Sequence, residues 1–463
     1  MSSERRGGNC VAVVARSTLF LLALTQTGVA NQTGEFRGSA PSPLGTASPL
    51  SLTAEHEAGY SAVSKSRHVD VLASGEPQLT GTSAPDAELD ALFSQIDKDL
   101  EPYRASGITL EMVEQVYCMF NTQSFRLQVL HGQMYISGET RGFEDIQDRM
   151  KKLLVKVWTH YQDRLPDVDM MIQFDDWMLP NLEGQHPLGR CSKQGPVVTA
   201  SKTAEDWHGI LAPDASYEDE PGGWEVIRAI LMDAAASHPW QNRTSQLMFR
   251  GAPTGKRAEM LGPDLGALRD DKLDIALGTW QQMTDTGDFL SLAAGCGHKY
   301  LLYLPGNTWA NRLKLLMSCG STVVMPRDPY VAFWWHMLRE GENVIKINAL
   351  TGGNSAKPVL KGVVHTLMQH DATAQRIGAN ARELVWKVLQ PDRLYEYWYR
   401  LICKYAELQR FQPSLHPDAL PLSESLMRPA ALKIIRHRDR NCTSCPQPPD
   451  GSAWRSGWMG PND

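Results

Sequence analysis

Residues 299–324 read KYLLYLPGNTWANRLKLLMSCGSTVV, and the order of residue types in this stretch sets the fold class. Lys299 to Leu304 is a run of strand formers, Pro305-Gly306 makes a tight turn, and a Leu-rich helical face follows until Gly320 stops it. Ser321-Thr-Val-Val then resumes a strand. The spacing predicts a strand at 300–304, a helix over about 308–318 capped by Asn307 or Thr308, and a strand at 321–324. A strand, a helix and a second strand in succession are the unit of a parallel sheet. Gly306 lets a ligand approach the main chain without a Cβ in the way, and the amides at the helix start favour an anion. Arg312, about one turn in, offers a bidentate fork to a phosphate. Taken alone, the stretch is better explained by a helix carrying one solvated arginine.

A second stretch adds weight. Phe249-Arg250-Gly251 puts another arginine at a strand end, followed by Pro253-Thr-Gly-Lys-Arg257. Two arginines beside glycines suit a diphosphate held without a metal ion. Further helices are expected around 224–236, 373–389 and 391–409, with Pro391 at a first helical position. In the first half, Leu89, Leu92, Ile96 and Leu100 share one helix face. Two strand-like runs then flank His131-Gly132, a helix spans about 143–161, and a strand at 168–174 leads to Asp175-Asp176-Trp177. Two aspartates at a strand end serve turn formation or act as a catalytic base, and residue type alone does not separate these roles. Strands alternating with helices in both halves indicate an α/β fold.

The ends differ from the body. Arg5 and Arg6 precede an apolar run, Ser17 to Ala23, which closes at Gly28-Val29-Ala30, the layout of a secretory signal peptide or a signal anchor. Residues 31–85 are rich in Ser, Gly, Thr, Ala and Pro and read as a disordered stem, and 411–463 reads as a flexible tail. Asn31, Asn242 and Asn441 open glycosylation sequons. Losing Cys10 with the signal would leave seven of eight cysteines, an odd count that implies a free thiol or an intermolecular bridge. Cys442 and Cys445 are spaced as a redox or zinc half-site, without a second pair. A net charge of −6 with no dense Lys/Arg block gives no reason to expect nucleic acid.

The body resembles glycosyltransferase family 90, the family of cap-associated proteins and Rumi-type protein O-glucosyltransferases. The matching segments run in order over roughly 90–410. They are Gly107-Ile-Thr109, Phe125-Arg-Leu127, Met134-Tyr135, Leu165-Pro-Asp167 leading to Asp176, Ser201-Lys-Thr203 and Trp224-Glu225. Phe249-Arg-Gly251, Lys299-Tyr300, Gly306, Arg312-Leu-Lys314, Gly320-Ser321 and Tyr397-Trp-Tyr-Arg400 complete the set. The resemblance implies two Rossmann-like domains facing a cleft (the GT-B type). Residues 86–235 would form the acceptor side and 236–410 the nucleotide-sugar side with closing helices.

It implies an inverting, metal-independent transfer of glucose or xylose from a UDP-sugar to a hydroxyl of a protein or glycan, without a cofactor. Carried over, Asp176 is the base with Asp175 beside it in reserve. Arg250 and Arg312 clamp the diphosphate above Gly306, and Ser201 touches donor or acceptor. Glu218-Asp219-Glu220 has the look of an acidic metal motif, but the arginines already supply positive charge. Part of Phe333-Trp334-Trp335 is a candidate for the donor pocket wall, while His298 and His336 are expected to be structural.

One departure stands out. Where the family has Asp-Ile-x-x-Pro, this chain has Gly209-Ile-Leu-Ala-Pro213, which raises the alternative of an inactive, secreted carbohydrate- or protein-binding relative. The location implied is the secretory lumen, endoplasmic reticulum or Golgi, with membrane contact only if the N-terminal segment stays as an anchor.

Overall fold

The computed structural model describes residues 87–119, 124–138, 144–174, 195–219, 222–262, 268–348, 350 and 356–427. The signal segment, the stem, Asp175, Asp176 and the Cys442/Cys445 pair lie outside these residues.

The first half contains α1 (Ala87–Leu100), α2 (Leu110–Met119), β1 (Ser124–Leu130), β2 (Gln133–Ser137), α3 (Glu144–Tyr161), β3 (Val168–Gln173), β4 (Val197–Thr199) and β5 (Gly209–Leu211). The second continues with α4 (Gly223–Ser237), β6 (Thr244–Gly251), α5 (Arg257–Leu261), β7 (Leu273–Leu277), α6 (Trp280–Asp285) and α7 (Leu292–Gly295). After these come β8 (His298–Leu302), α8 (Leu313–Ser318), β9 (Thr322–Pro326), β10 (Ile345–Ile347), α9 (Lys357–Gln369), α10 (Asp371–Val388) and α11 (Pro391–Leu408). β11 (Leu420–Pro421) and α12 (Leu422–Met427) close the described chain.

The fold is α/β with two sheets. The second, ordered β10-β9-β8-β6-β7, is parallel throughout. The first, ordered β11-β2-β1-β3-β4-β5, is mixed: β3, β4 and β5 are parallel, whereas β1 runs against both β2 and β3. The antiparallel part follows from a two-residue turn at His131 (φ 50°) and Gly132 (φ 75°). Both sit in the left-handed region that lets a tight hairpin match the strand twist.

Three expectations change. The helix predicted from Asn307 or Thr308 starts only at Leu313, because the amide of Ala310 is taken by the side chain of Tyr303 (2.9 Å) rather than by a helical carbonyl. Residues 411–427, expected in a flexible tail, return to the first sheet, where Leu420 and Pro421 pair with Ile136 and Tyr135. The boundary at 235/236 is crossed in both directions. α4 packs on α7 and α8, with Trp224 Nε1 donating to the Leu389 carbonyl (2.5 Å). α11 packs back on α1 and α3.

One apolar core accordingly runs through both halves, from Leu92 through Tyr303 to Leu422, and a second lies on the other face of the second sheet around Phe249, Leu302 and Leu360. A disulfide, Cys296–Cys319, joins the foot of β8 to the end of α8. Among the described residues no cysteine is free, and no helix is long and apolar enough to cross a membrane.

Candidate active site

In the second sheet the chain proceeds from β6 to β7 on one side, then returns to lay β8, β9 and β10 on the other. The order reverses between β6 and β8. In open parallel sheets the loops at the carboxyl ends part at such a point and leave a crevice for a ligand.

Two loops meet there. Gly255, in the loop after β6, has φ +60°, and a Cβ on it would lie 2.1 Å from the Gly306 carbonyl oxygen of the loop after β8. The two main chains thus touch, which only glycine permits. Arg257 is buried at the start of α5; its Nε donates to the Pro305 carbonyl (2.9 Å) and its Nη1 to the Ala252 carbonyl (3.1 Å). Arg312, immediately before α8, sends Nη1 to the Arg250 carbonyl (2.6 Å). A Cβ on Gly251 would come within 3.1 Å of that same nitrogen.

Both guanidinium groups lie against the Phe249 ring, Arg312 at 5.3 Å and Arg257 at 5.7 Å from its centroid. Burial first, and then the neighbouring Arg312, lower the Arg257 pKa to about 9. Arg257 is bonded to main-chain carbonyls, and among the described residues no carboxylate pairs with it. Two like charges held side by side, each lowering the other's affinity for its proton, form a place that an anion stabilises. α8 is only six residues long, so the attraction rests on the guanidinium groups rather than on a helix start.

The sequence-derived residues fall into three groups. Gly306 and Arg312 come together as described. The Arg250 guanidinium goes elsewhere: successive side chains on a strand point to opposite faces, so it leaves β6 on the side away from Phe249. Its Nη2 meets both Asp274 oxygens (2.8 Å each) and its Nε the Asp288 carbonyl (2.8 Å). His298 Nε2 lies 3.7 Å from the same Asp274. Arg250 is thereby a tie between strands, and Arg257 rather than Arg250 is the arginine that shares the Phe249 ring with Arg312. The signal for Arg257 was present in the Gly-Lys-Arg of the following loop.

Ser201 is buried just past β4, next to a point where the two halves join: Lys202 and Val331 exchange two main-chain hydrogen bonds of 3.2 and 2.9 Å. Lys202 Nζ is matched by Asp99 (2.6 Å).

Other features sort similarly. Glu218 pairs with Lys156 (2.7 Å) and Asp219 with Arg149, so these two carboxylates already have cations. Lys314 is buried, donates to Ser216 Oγ (2.6 Å) and lies 4.6 Å from the Tyr217 ring, which fastens α8 to the first half. Phe333, Trp334 and Trp335 are all buried, and Trp335 sets its ring edge-on to Tyr303 (5.7 Å) and Trp309 (6.5 Å). Thr308 Oγ1 and Trp335 Nε1 are buried without a hydrogen-bond partner among the described residues, polar atoms that a ligand could satisfy.

The sequence has recognisable relatives. O-glucosyltransferase rumi from Drosophila pseudoobscura pseudoobscura is 26% identical over 360 residues, 74% of this chain and 82% of that protein. Protein O-glucosyltransferase 1 from Homo sapiens is 26% identical over 338 residues, 67% of this chain and 79% of that protein. A solved structure, Anabaena Alr3699/HepE in complex with UDP and glucose, shares 11% identity with a TM-score of 0.31. It covers 54% of this chain and 75% of the other, and at that score it adds no weight. The sequence profile of Glycosyl transferase family 90 matches residues 85–452, nearly all of the body described above, and the chain belongs to that family.

Proposed function

We propose that this protein transfers glucose from UDP-glucose to a hydroxyl group of a protein, with inversion and without a metal ion. The observation that carries the reading is the convergence of Arg257 and Arg312 on the Phe249 ring, across the Gly255–Gly306 contact. In this reading the acceptor oxygen attacks the anomeric carbon from the side opposite the diphosphate. The bond from that carbon to the phosphate oxygen breaks, UDP leaves with the electron pair, and Asp176 takes the hydroxyl proton. The guanidinium groups meet charge that grows on the departing diphosphate, the role in which preorganised cations contribute most. The base contributes roughly 10²–10⁴-fold.

Glucose is favoured over xylose because the relatives are named O-glucosyltransferases. A secretory location suits a chain whose Cys296–Cys319 disulfide needs an oxidising compartment.

The test incubates the purified protein with UDP-glucose or UDP-xylose, with and without a chelator, and follows UDP release. UDP-glucose turnover insensitive to the chelator is expected. Asp176→Asn should lose at least roughly 100-fold in turnover while still binding UDP. Failure to bind either nucleotide sugar would refute the donor reading, preference for UDP-xylose would reassign the sugar, and wild-type turnover in Asp176→Asn would remove the assigned base.

A further inference from the structure

The turn that carries Gly306 and Arg312 is held largely by groups outside it: Arg257 Nε donates to the Pro305 carbonyl (2.9 Å) and Arg312 Nη1 to the Arg250 carbonyl (2.6 Å). Its internal hydrogen bond, Gly306 N to the Trp309 carbonyl, is long at 3.4 Å. The Ala310 amide, two residues before Arg312, is instead captured by the Tyr303 hydroxyl at 2.9 Å. Tyr303 is fully buried and fixed at the end of β8, where its own amide donates to the Val324 carbonyl (2.8 Å). Its hydroxyl in turn donates to Asp328 Oδ2 (3.2 Å), in the loop after β9, and Asp328 Oδ1 accepts the Tyr330 amide (3.0 Å).

Among the described residues the part-buried Asp328 carboxylate therefore faces one hydroxyl and one amide and no paired cation, an arrangement that costs stability. We propose that Tyr303 and Asp328 are positioning residues: the Asp328 carboxylate orients the Tyr303 hydroxyl, which holds the Ala310 amide and so keeps Arg312 presented to the donor's diphosphate. This rests on the donor reading given above.

The arrangement has a protonation requirement. The Tyr303 oxygen accepts from Ala310, so its own hydrogen needs an acceptor. The carboxylate provides one while its other oxygen accepts the Tyr330 amide, whereas a proton on either oxygen makes that atom a donor and weakens the bond it accepts. Burial raises the Asp328 pKa to about 6, against the Tyr330 and Tyr303 hydrogen bonds that lower it. The charged groups around the pair are Arg257, which acts on the Tyr303 hydroxyl, and Asp206, which acts on Tyr330. Arg257, at about 9, stays charged through the acid range.

The sign follows. Because the folded pKa lies above the unfolded value of 3.8, the fold binds this proton more tightly than the unfolded chain. The group's contribution to stability thus declines as pH rises through about 6. Donor binding should move the opposite way and strengthen as the carboxylate forms. A merely structural role would move both together.

The experiment measures UDP-glucose affinity by calorimetry between pH 5 and pH 7.5, a range in which its diphosphate does not titrate. The wild type is expected to bind roughly tenfold more weakly at the acid end. Asp328→Asn and Tyr303→Phe should both bind as weakly at pH 7.5 as the wild type does at pH 5, with flat profiles. Circular dichroism at each pH confirms folding, and the wild type should gain stability relative to Asp328→Asn as pH falls. Wild-type affinity in Tyr303→Phe, a flat wild-type profile, or an Asp328→Asn profile with the wild-type slope would each overturn the assignment and leave the donor reading standing. Absence of UDP-glucose binding to the wild type at every pH would sink the donor reading itself.

Discussion

Two arginines seven residues apart in chain order, Arg250 and Arg257, have opposite employment, and the pleat of one strand decides which. Phe249 and Arg250 are consecutive on β6 and face opposite sides of the sheet. The side chain that follows Phe249 is spent on Asp274, while Arg257, returning from the next loop, lies against the Phe249 ring. Arg257→Ala should weaken UDP binding by about 1.5–3 kcal/mol, the range for a charge-assisted hydrogen bond, or roughly 10–150-fold in the dissociation constant. Arg250→Ala should instead lower the melting temperature, through about 1–3 kcal/mol of lost pairing with Asp274 and the Asp288 carbonyl, and leave UDP affinity within a few-fold. Calorimetric titration and thermal melts on the two variants separate these outcomes, and the reverse pattern would return the clamp to Arg250. Residue type announced that arginines mattered near 250–257; which one faced the crevice depended on strand phase and loop return, which the sequence encodes only through the fold.

At the scale of elements, the site is a contact between two loops, and the contact is made of glycine. Gly255 combines a left-handed φ of +60° with a position where any Cβ would sit 2.1 Å from the Gly306 oxygen, so replacement is blocked twice. Gly255→Ala should separate the loops, costing on the order of 1–3 kcal/mol in stability and lowering UDP affinity at least several-fold, while Gly341→Ala, at φ +71° with open space around it, carries backbone strain alone. If the two variants lose UDP affinity equally, the loop contact is not what shapes the site.

Strands and long helices were legible because periodicity reports burial directly: the predicted α3 and α11 differ from the observed elements by a residue or two at their ends. The helix after Gly306 was misjudged by five residues. The side chain that stopped it, Tyr303, comes from the preceding strand end, and its hydroxyl replaces a helical partner for Ala310. Local propensity contains no trace of such a competition.

For the whole molecule, the sequence suggested two domains in chain order, whereas the fold exchanges elements between them. α11, the last long helix of the second half, returns to the first, where the Tyr397 hydroxyl donates to the Leu211 carbonyl (3.1 Å) and Trp398 Nε1 to the Pro213 carbonyl (3.0 Å). Both side chains are buried in the core that continues from one sheet to the other, and Lys314 with Ser216 and Lys202 with Val331 join the halves at further points. Chains of this size commonly unfold in parts when each domain owns its core. Here the shared core should make residues 87–427 melt in one calorimetric transition, with UDP-glucose shifting that transition as a unit. Trp398→Phe removes one donor and leaves the Pro213 carbonyl unsatisfied, a loss of about 1–3 kcal/mol that should lower the single transition without splitting it. Two resolved transitions in the wild type, only one of them moved by the nucleotide sugar, would mean that the halves are energetically independent and that the crevice between the loops is held by the second sheet alone.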